Sequence, residues 1–235
     1  MGRAFEFRKA RKFKRWDKMS KAFTKIGREI AIAVRLGGPD PAANSRLRMA
    51  ITNAKGVNMP KDRVEAAIKR ASSKDQEAFQ EVVYEGYGPS GVPIVVECAT
   101  DNPTRTVANV RSAFTRSGGQ LAMTGALDFL FERKGVFKFP KDGLDLDELE
   151  LELIDFGAEE LSAEEGEVTL LTSFADFAGM QKALEDRNIP VASAEVQRIP
   201  TVFKEIPETE EEPVMELIEK LEEDDDVQAV YHNLK

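Results

Sequence analysis

The sequence predicts an α+β protein, with an N-terminal three-helix bundle followed by two α/β domains. At least one of these is ferredoxin-like (βαββαβ), and the last is inserted in the middle one. Three observations carry this. A helical period runs from position 19 to 71. Strand-type and helix-type segments alternate after position 78. An unbroken βαββαβ series fills 134–200.

Taken in order, residues 1–18 read as a basic arm in which Phe5, Phe7, Phe13 and Trp16 interrupt a run of bases without a clean period. From Met19, the residues Ala22, Phe23, Ile26, Ile30, Ala33 and Val34 fall on one side of a helical wheel, with Lys18, Lys21, Lys25, Arg28 and Arg35 opposite. Gly37-Gly38 ends that helix. Asp40 as N-cap and Pro41 at the first helical position open a second helix, which carries Leu47, Ala50, Ile51 and Ala54. A third begins at Pro60 and carries Val64, Ala67, Ile68 and Ala71. The bundle spans 19–76, and Ser72 to Ala78 reads as a linker.

Beyond it, Glu81–Tyr87 and Val92–Ala99 read as strands, Asn102-Pro103 opens a helix, and Leu127–Glu132 reads as another strand. The βαββαβ series follows. Its strands are Gly135–Phe139, Glu159–Leu161, Glu167–Thr172 and Val191–Arg198, and its helices Leu146–Phe156 and Phe174–Asp186. The series before it lacks a second helix. The chain supplies one late, with Val214, Leu217, Ile218 and Leu221, followed by the strand Val227–Tyr231. The economical assembly is a middle domain of 77–133 plus 201–235, with 134–200 inserted.

Charge divides the chain. The first 75 residues hold 20 Lys and Arg against seven Asp and Glu, and the remaining 160 hold 13 against 35. The net charge of −9 hides parts of about +13 and −22. A basic front on an acidic body implies a polyanionic partner for one end. Interleaved aromatics add stacking surfaces for unpaired bases. No apolar run reaches the ~18 residues of a membrane span, and the N-terminus is too charged for a signal peptide, so a cytoplasmic protein is expected. One cysteine, Cys98, excludes an internal disulfide, and its apolar strand implies burial. The single histidine, His232, leaves no Ser/His/Asp or Cys/His triad to assemble. No catalytic residue, metal site or cofactor is expected.

Other motifs read plainly. Gly86-Tyr-Gly88-Pro-Ser-Gly91 matches G-x-G-x-x-G, but a strand follows it where a dinucleotide site needs a helix, so a hairpin connection is expected. Asp224-Asp225-Asp226 reads as a solvated loop, and the acids of Asp145–Asp155 as the wet face of a helix. Arg105, Arg111 and Arg116 have two readings, contact with an anion or pairing with nearby acids.

Several segments resemble the YebC/PmpR family: Phe23-Thr-Lys-Ile-Gly-Arg-Glu-Ile, Gly37-Gly-Pro-Asp-Pro, Asn58-Met-Pro-Lys-Asp and Ala67-Ile-Lys-Arg. So do Tyr84-Glu-Gly-Tyr-Gly-Pro, Glu97-Cys-Ala-Thr-Asp-Asn, Arg105-Thr-Val-Ala-Asn-Val-Arg, Leu130-Phe-Glu-Arg-Lys-Gly and Asp225-Asp-Val-Gln-Ala-Val-Tyr-His-Asn. The resemblance runs nearly the whole chain, in order. It departs at Phe5-Glu-Phe-Arg-Lys, where family members commonly carry His-Ser-Lys-Trp. The resemblance implies a cytoplasmic, three-domain, non-enzymatic regulator of gene expression. The family includes probable DNA-binding transcriptional regulators and translational activators linked to ribosomes stalled on proline-rich peptides. The expected partner is nucleic acid, either DNA or ribosomal RNA, with the ribosome as a further candidate and no membrane. The expected phosphate contacts are Lys9, Arg11, Lys12, Lys14, Arg15, Lys18, Lys21, Lys25 and Arg28, extended by Arg46, Arg48 and Lys61.

Overall fold

The computed structural model describes residues 3–73 and 78–235, with side chains for 19–73 and 78–235. The chain divides into two compact units, Met1–Gln76 and Glu77–Lys235. Among the described residues there are seven α-helices and two four-stranded antiparallel sheets.

The first unit holds α1 (Arg3–Gly37), α2 (Ser45–Gly56) and α3 (Lys61–Ala71). Ile26, Ile30, Ala33 and Val34 of α1 share a core with Leu47, Ala50 and Ala54 of α2 and Val64 of α3. Two expectations are corrected here. The first helix starts at Arg3, and the segment read as an arm without a period belongs to it. Periodicity reports packing, whereas helix formation needs only good formers. Ala, Lys and Arg recur from Arg3 onward, with no Gly or Pro before Gly27.

The N-cap of α2 is Asn44, not Asp40. Asp40 Oδ1 accepts from the Ala42 amide at 2.9 Å and closes a turn before the helix. Asn44 Oδ1 accepts from the Leu47 amide at 3.0 Å, while its Nδ2 donates to the carbonyls of Ala33 at 2.7 Å and Gly38 at 2.8 Å. One buried amide thus starts α2 and ties off the end of α1. A Cβ at Gly37 would stand 2.8 Å from that amide, so a glycine is needed there. Asn44→Ala is expected to destabilise this unit by about 2 kcal/mol, losing the cap and the two bonds donated to the Ala33 and Gly38 carbonyls, the first of them buried. Urea unfolding checks this, and Asn44→Asp should recover the cap but not the two donated bonds.

In the second unit, β1 (Gln80–Tyr87) and β2 (Pro93–Thr100) form a hairpin. Gly86 lies in β1, and Gly88–Gly91, with a 3-10 turn at Pro89–Gly91, joins the two strands as the expected hairpin connection. Next come α4 (Pro103–Arg116) and β3 (Gln120–Leu121), which pairs with β1. The expected strand Leu127–Glu132 is corrected. Asp128–Leu130 is a short 3-10 turn, and β4 begins at Phe131 and runs to Pro140, through the expected boundary at 133–134.

The chain continues as α5 (Leu146–Ile154), β5 (Ala158–Glu164), β6 (Glu167–Ser173), α6 (Phe177–Asp186) and β7 (Ser193–Pro200). With β4 this is a βαββαβ order, and the sheet order is β5-β6-β4-β7. Finally α7 (Glu208–Glu222) leads to β8 (Val227–His232), which pairs antiparallel with β2, Ile94 opposite His232. The first sheet, β3-β1-β2-β8, therefore takes strands from both ends of this unit. One of its faces packs on α4 and α7 through Ile94, Val96, Cys98, Phe114, Leu217 and Val227. On its other face Val95 packs with Leu127 and Phe131, which lead into the second sheet.

Candidate nucleic-acid interface

Among the residues whose side chains are described, the bases of the first unit lie outside its core because the apolar stripes of its helices face inward. Lys9, Arg11, Lys12, Lys14, Arg15 and Lys18 lie outside the residues whose side chains are described. Lys21, Lys25 and Arg28 are half-buried on α1, and Arg46 is half-buried on α2. Lys61 is 91% exposed at the start of α3 and is 3.6 Å from Glu65.

Arg48 is placed differently. Its Nη1 donates to the carbonyls of Pro41 at 2.9 Å and Ala42 at 3.0 Å, so this part of the guanidinium closes the turn before α2. Four bases outside the expected set are also exposed, Lys55 on α2 and Arg63, Lys69 and Arg70 on the outer face of α3, where bases outnumber acids. Arg63 lies 5.8 Å from the centroid of the Phe23 ring, a cation–π contact between α1 and α3.

The second unit spends charge internally. Arg105 Nη2 lies 2.7 Å from Asp101 Oδ1 and 2.9 Å from Asp226 Oδ2, so for this arginine the acid-pairing reading holds. Its bond to Asp226, then that to Asp101, holds the guanidinium more firmly protonated than usual. Arg111 and Arg116 are exposed on α4. The reading of Asp224–Asp226 as wholly solvated is corrected. Asp226 is 3% exposed, and the Thr100 and Thr106 hydroxyls lie 3.1 Å and 2.7 Å from its Oδ2. Asp224 accepts from Asn109 Nδ2 at 3.0 Å and from the Asp226 amide at 2.9 Å. Of the three, only Asp225 is exposed. A run of three identical acids gives no sign of which one turns inward.

A second buried carboxylate orders a loop. Glu85, 3% exposed on β1, accepts from the Gly125 amide at 2.8 Å through Oε1 and from the Leu127 amide at 2.6 Å through Oε2. Leu127 is thereby held in the core while Met123 and Phe129 face water. Glu85→Ala is expected to cost about 2–3 kcal/mol, because two backbone donors lose their acceptors. Hydrogen exchange at Gly125 and Leu127 should accelerate together, and unchanged rates would show that the carboxylate does not hold the loop.

His232 Nδ1 accepts from the Leu234 amide at 3.2 Å, and burial pushes its pKa below the usual 6.5. It therefore acts as a neutral acceptor within the sheet edge. Among the described residues, no three His, Cys, Asp or Glu side chains are grouped to hold a metal ion. No helix of the described residues is long and apolar enough to cross a membrane.

The two units correspond to two family models. Residues 3–74 match the TACO1/YebC protein N-terminal domain, and residues 79–234 match the TACO1/YebC second and third domain. The chain belongs to the TACO1/YebC family. A TACO1/YebC relative from Cytophaga hutchinsonii, named a probable transcriptional regulatory protein, is 60% identical over 234 residues, covering 100% of this chain and 98% of the relative. One from Parabacteroides distasonis, of the same name, is 56% identical, covering 100% of this chain and 97% of the relative. The crystal structure of a conserved hypothetical protein from Aquifex aeolicus superposes with a TM-score of 0.82 at 39% identity, over 92% of this chain and 90% of that one.

Proposed function

We propose that this protein is a non-enzymatic, cytoplasmic regulator of gene expression that binds nucleic acid through residues 1–76. The observation that carries the reading is the charge split. The excess of bases falls within the unit Met1–Gln76, and the excess of acids within Glu77–Lys235. Phosphate neutralisation by Lys and Arg drives nucleic-acid affinity, and the acidic unit opposes it. The naming of relatives as probable transcriptional regulatory proteins supports DNA as the target.

A second reading is a translational activator that binds ribosomal RNA and relieves stalling on proline-rich peptides. One observation favours it. The exposed positions of α3 are Lys61, Asp62, Arg63, Glu65, Ala66, Lys69 and Arg70. Four of the seven are Lys or Arg, which can meet phosphates by shape alone, and hydrogen-bonding base-edge readers other than charged residues are missing from this face. Crosslinking in cells, followed by sequencing of the attached nucleic acid, decides between the two. Predominant ribosomal RNA overturns the promoter reading, and enriched promoter DNA overturns the translational one.

A further inference from the structure

We propose that the outward face of α5 is a docking surface for a protein segment that is basic and amphipathic. Leu149 and Leu153 fill the core beneath this helix. Leu151 and Ile154, 71% and 54% exposed, are spaced i,i+3 and form an apolar ridge on the opposite side. Asp147, i−4 from Leu151, closes the ridge at its N-terminal end, and Glu150 flanks it on one side and Glu148 and Asp155 on the other, all exposed. A helix normally turns such leucines inward and leaves its wet face polar, so an apolar ridge between carboxylate rims is unpartnered.

Charge selects the occupant. Residues 134–200 hold sixteen Asp and Glu against six Lys and Arg. That field repels nucleic-acid phosphates and anionic lipid, and it attracts a cationic protein. The protein shows the required chemistry at the end of the same helix. The Arg187 guanidinium lies 5.0 Å from the centroid of the Phe156 ring, and its Nε is 2.8 Å from Glu152. A base over an apolar side chain with a carboxylate beside it is the contact that Leu151, Ile154 and their rims still lack. The fitting occupant presents leucine-sized side chains at helical spacing, bordered by Lys or Arg.

The test uses the full chain and a labelled peptide of about 18 residues, made of Lys and Leu with Leu at i, i+3, i+4 spacing. A scrambled peptide of equal composition is the control. The ordered peptide is expected to bind about tenfold more tightly than the scrambled one, a difference of ~1.4 kcal/mol. Leu151→Ser with Ile154→Ser should remove that advantage, and Leu151→Met with Ile154→Met should keep it. Glu148→Gln, Glu150→Gln and Asp155→Asn together should flatten the salt dependence of peptide binding. Melting temperature should be unchanged in all three variants, and nucleic-acid affinity unchanged in the two charge-neutral ones, the double serine and the double methionine, which separates this surface from the interface on residues 1–76.

Equal binding of the two peptides would overturn the proposal, as would an advantage that survives the double serine change. Sedimentation of the protein alone gives a further check. Self-association that the serine variant abolishes would assign the ridge to a second copy and overturn the proposal too.

Discussion

Replacing Lys12, Lys14, Arg15 and Lys18 together by Ala is expected to make the plot of log K against log salt shallower by about three to four units for a duplex. Each phosphate contact contributes about 0.9 to that slope, and about 0.7 if the target is single-stranded. At physiological salt the affinity should fall by roughly a thousandfold, because four released counterions no longer drive association. The loss should be nearly uniform across sequences, since phosphate contacts carry no base information. The same four substitutions should leave urea unfolding of the Glu77–Lys235 unit unchanged. A slope equal to that of the parent protein would remove these residues from the interface and shift attention to the exposed bases of α3.

Asp226→Ala is expected to destabilise the second unit by about 3 kcal/mol, at least as much as the loss of the Glu85 carboxylate. The Asp226 carboxylate is 3% exposed and meets the hydroxyls of Thr100 and Thr106, both of them buried. Removing it takes the carboxylate acceptor from both hydroxyls, which keep only each other and the Asn102 backbone, and opens a polar hole where β8, β2 and α4 meet. Arg105 contributes less to the cost, because its side chain is 48% exposed and water can replace the lost partner. Asp226→Asn should cost less than the alanine change, since one acceptor remains. Thermal unfolding checks the order, alanine below asparagine below parent. If both variants melt with the parent protein, the cluster does not fasten β8.

Much of this architecture was legible because core-facing residues repeat at the period of their element. Met180, Ala183 and Leu184 mark α6, and the alternation of Val168, Leu170 and Thr172 marks β6. What was not legible depended on distant partners. Asp40 and Asn44 are both good caps, four positions apart. The choice between them is made by the carbonyls of Ala33 and Gly38, which only the packed helices bring near. Leu127–Glu132 is apolar enough for a strand, yet Glu85, 42 positions away, takes the Leu127 amide and bends the chain. In the candidate interface, composition located the basic unit, but the diversion of Arg48 to a turn needed coordinates.

The pairing of β8 with β2 also sets an order in time. Thr100 and Asp226, bonded to each other, are 126 positions apart. During synthesis, at roughly 5–20 residues per second, the three-helix unit and the βαββαβ segment emerge well before β8. Until then the β2 edge has no neighbour on that side, and the buried face of the hairpin waits for α7. A growing chain therefore presents its cationic unit, folded, while its acidic counterweight is still incomplete. On the proposed function, the newborn form is expected to hold nucleic acid more tightly than the finished one.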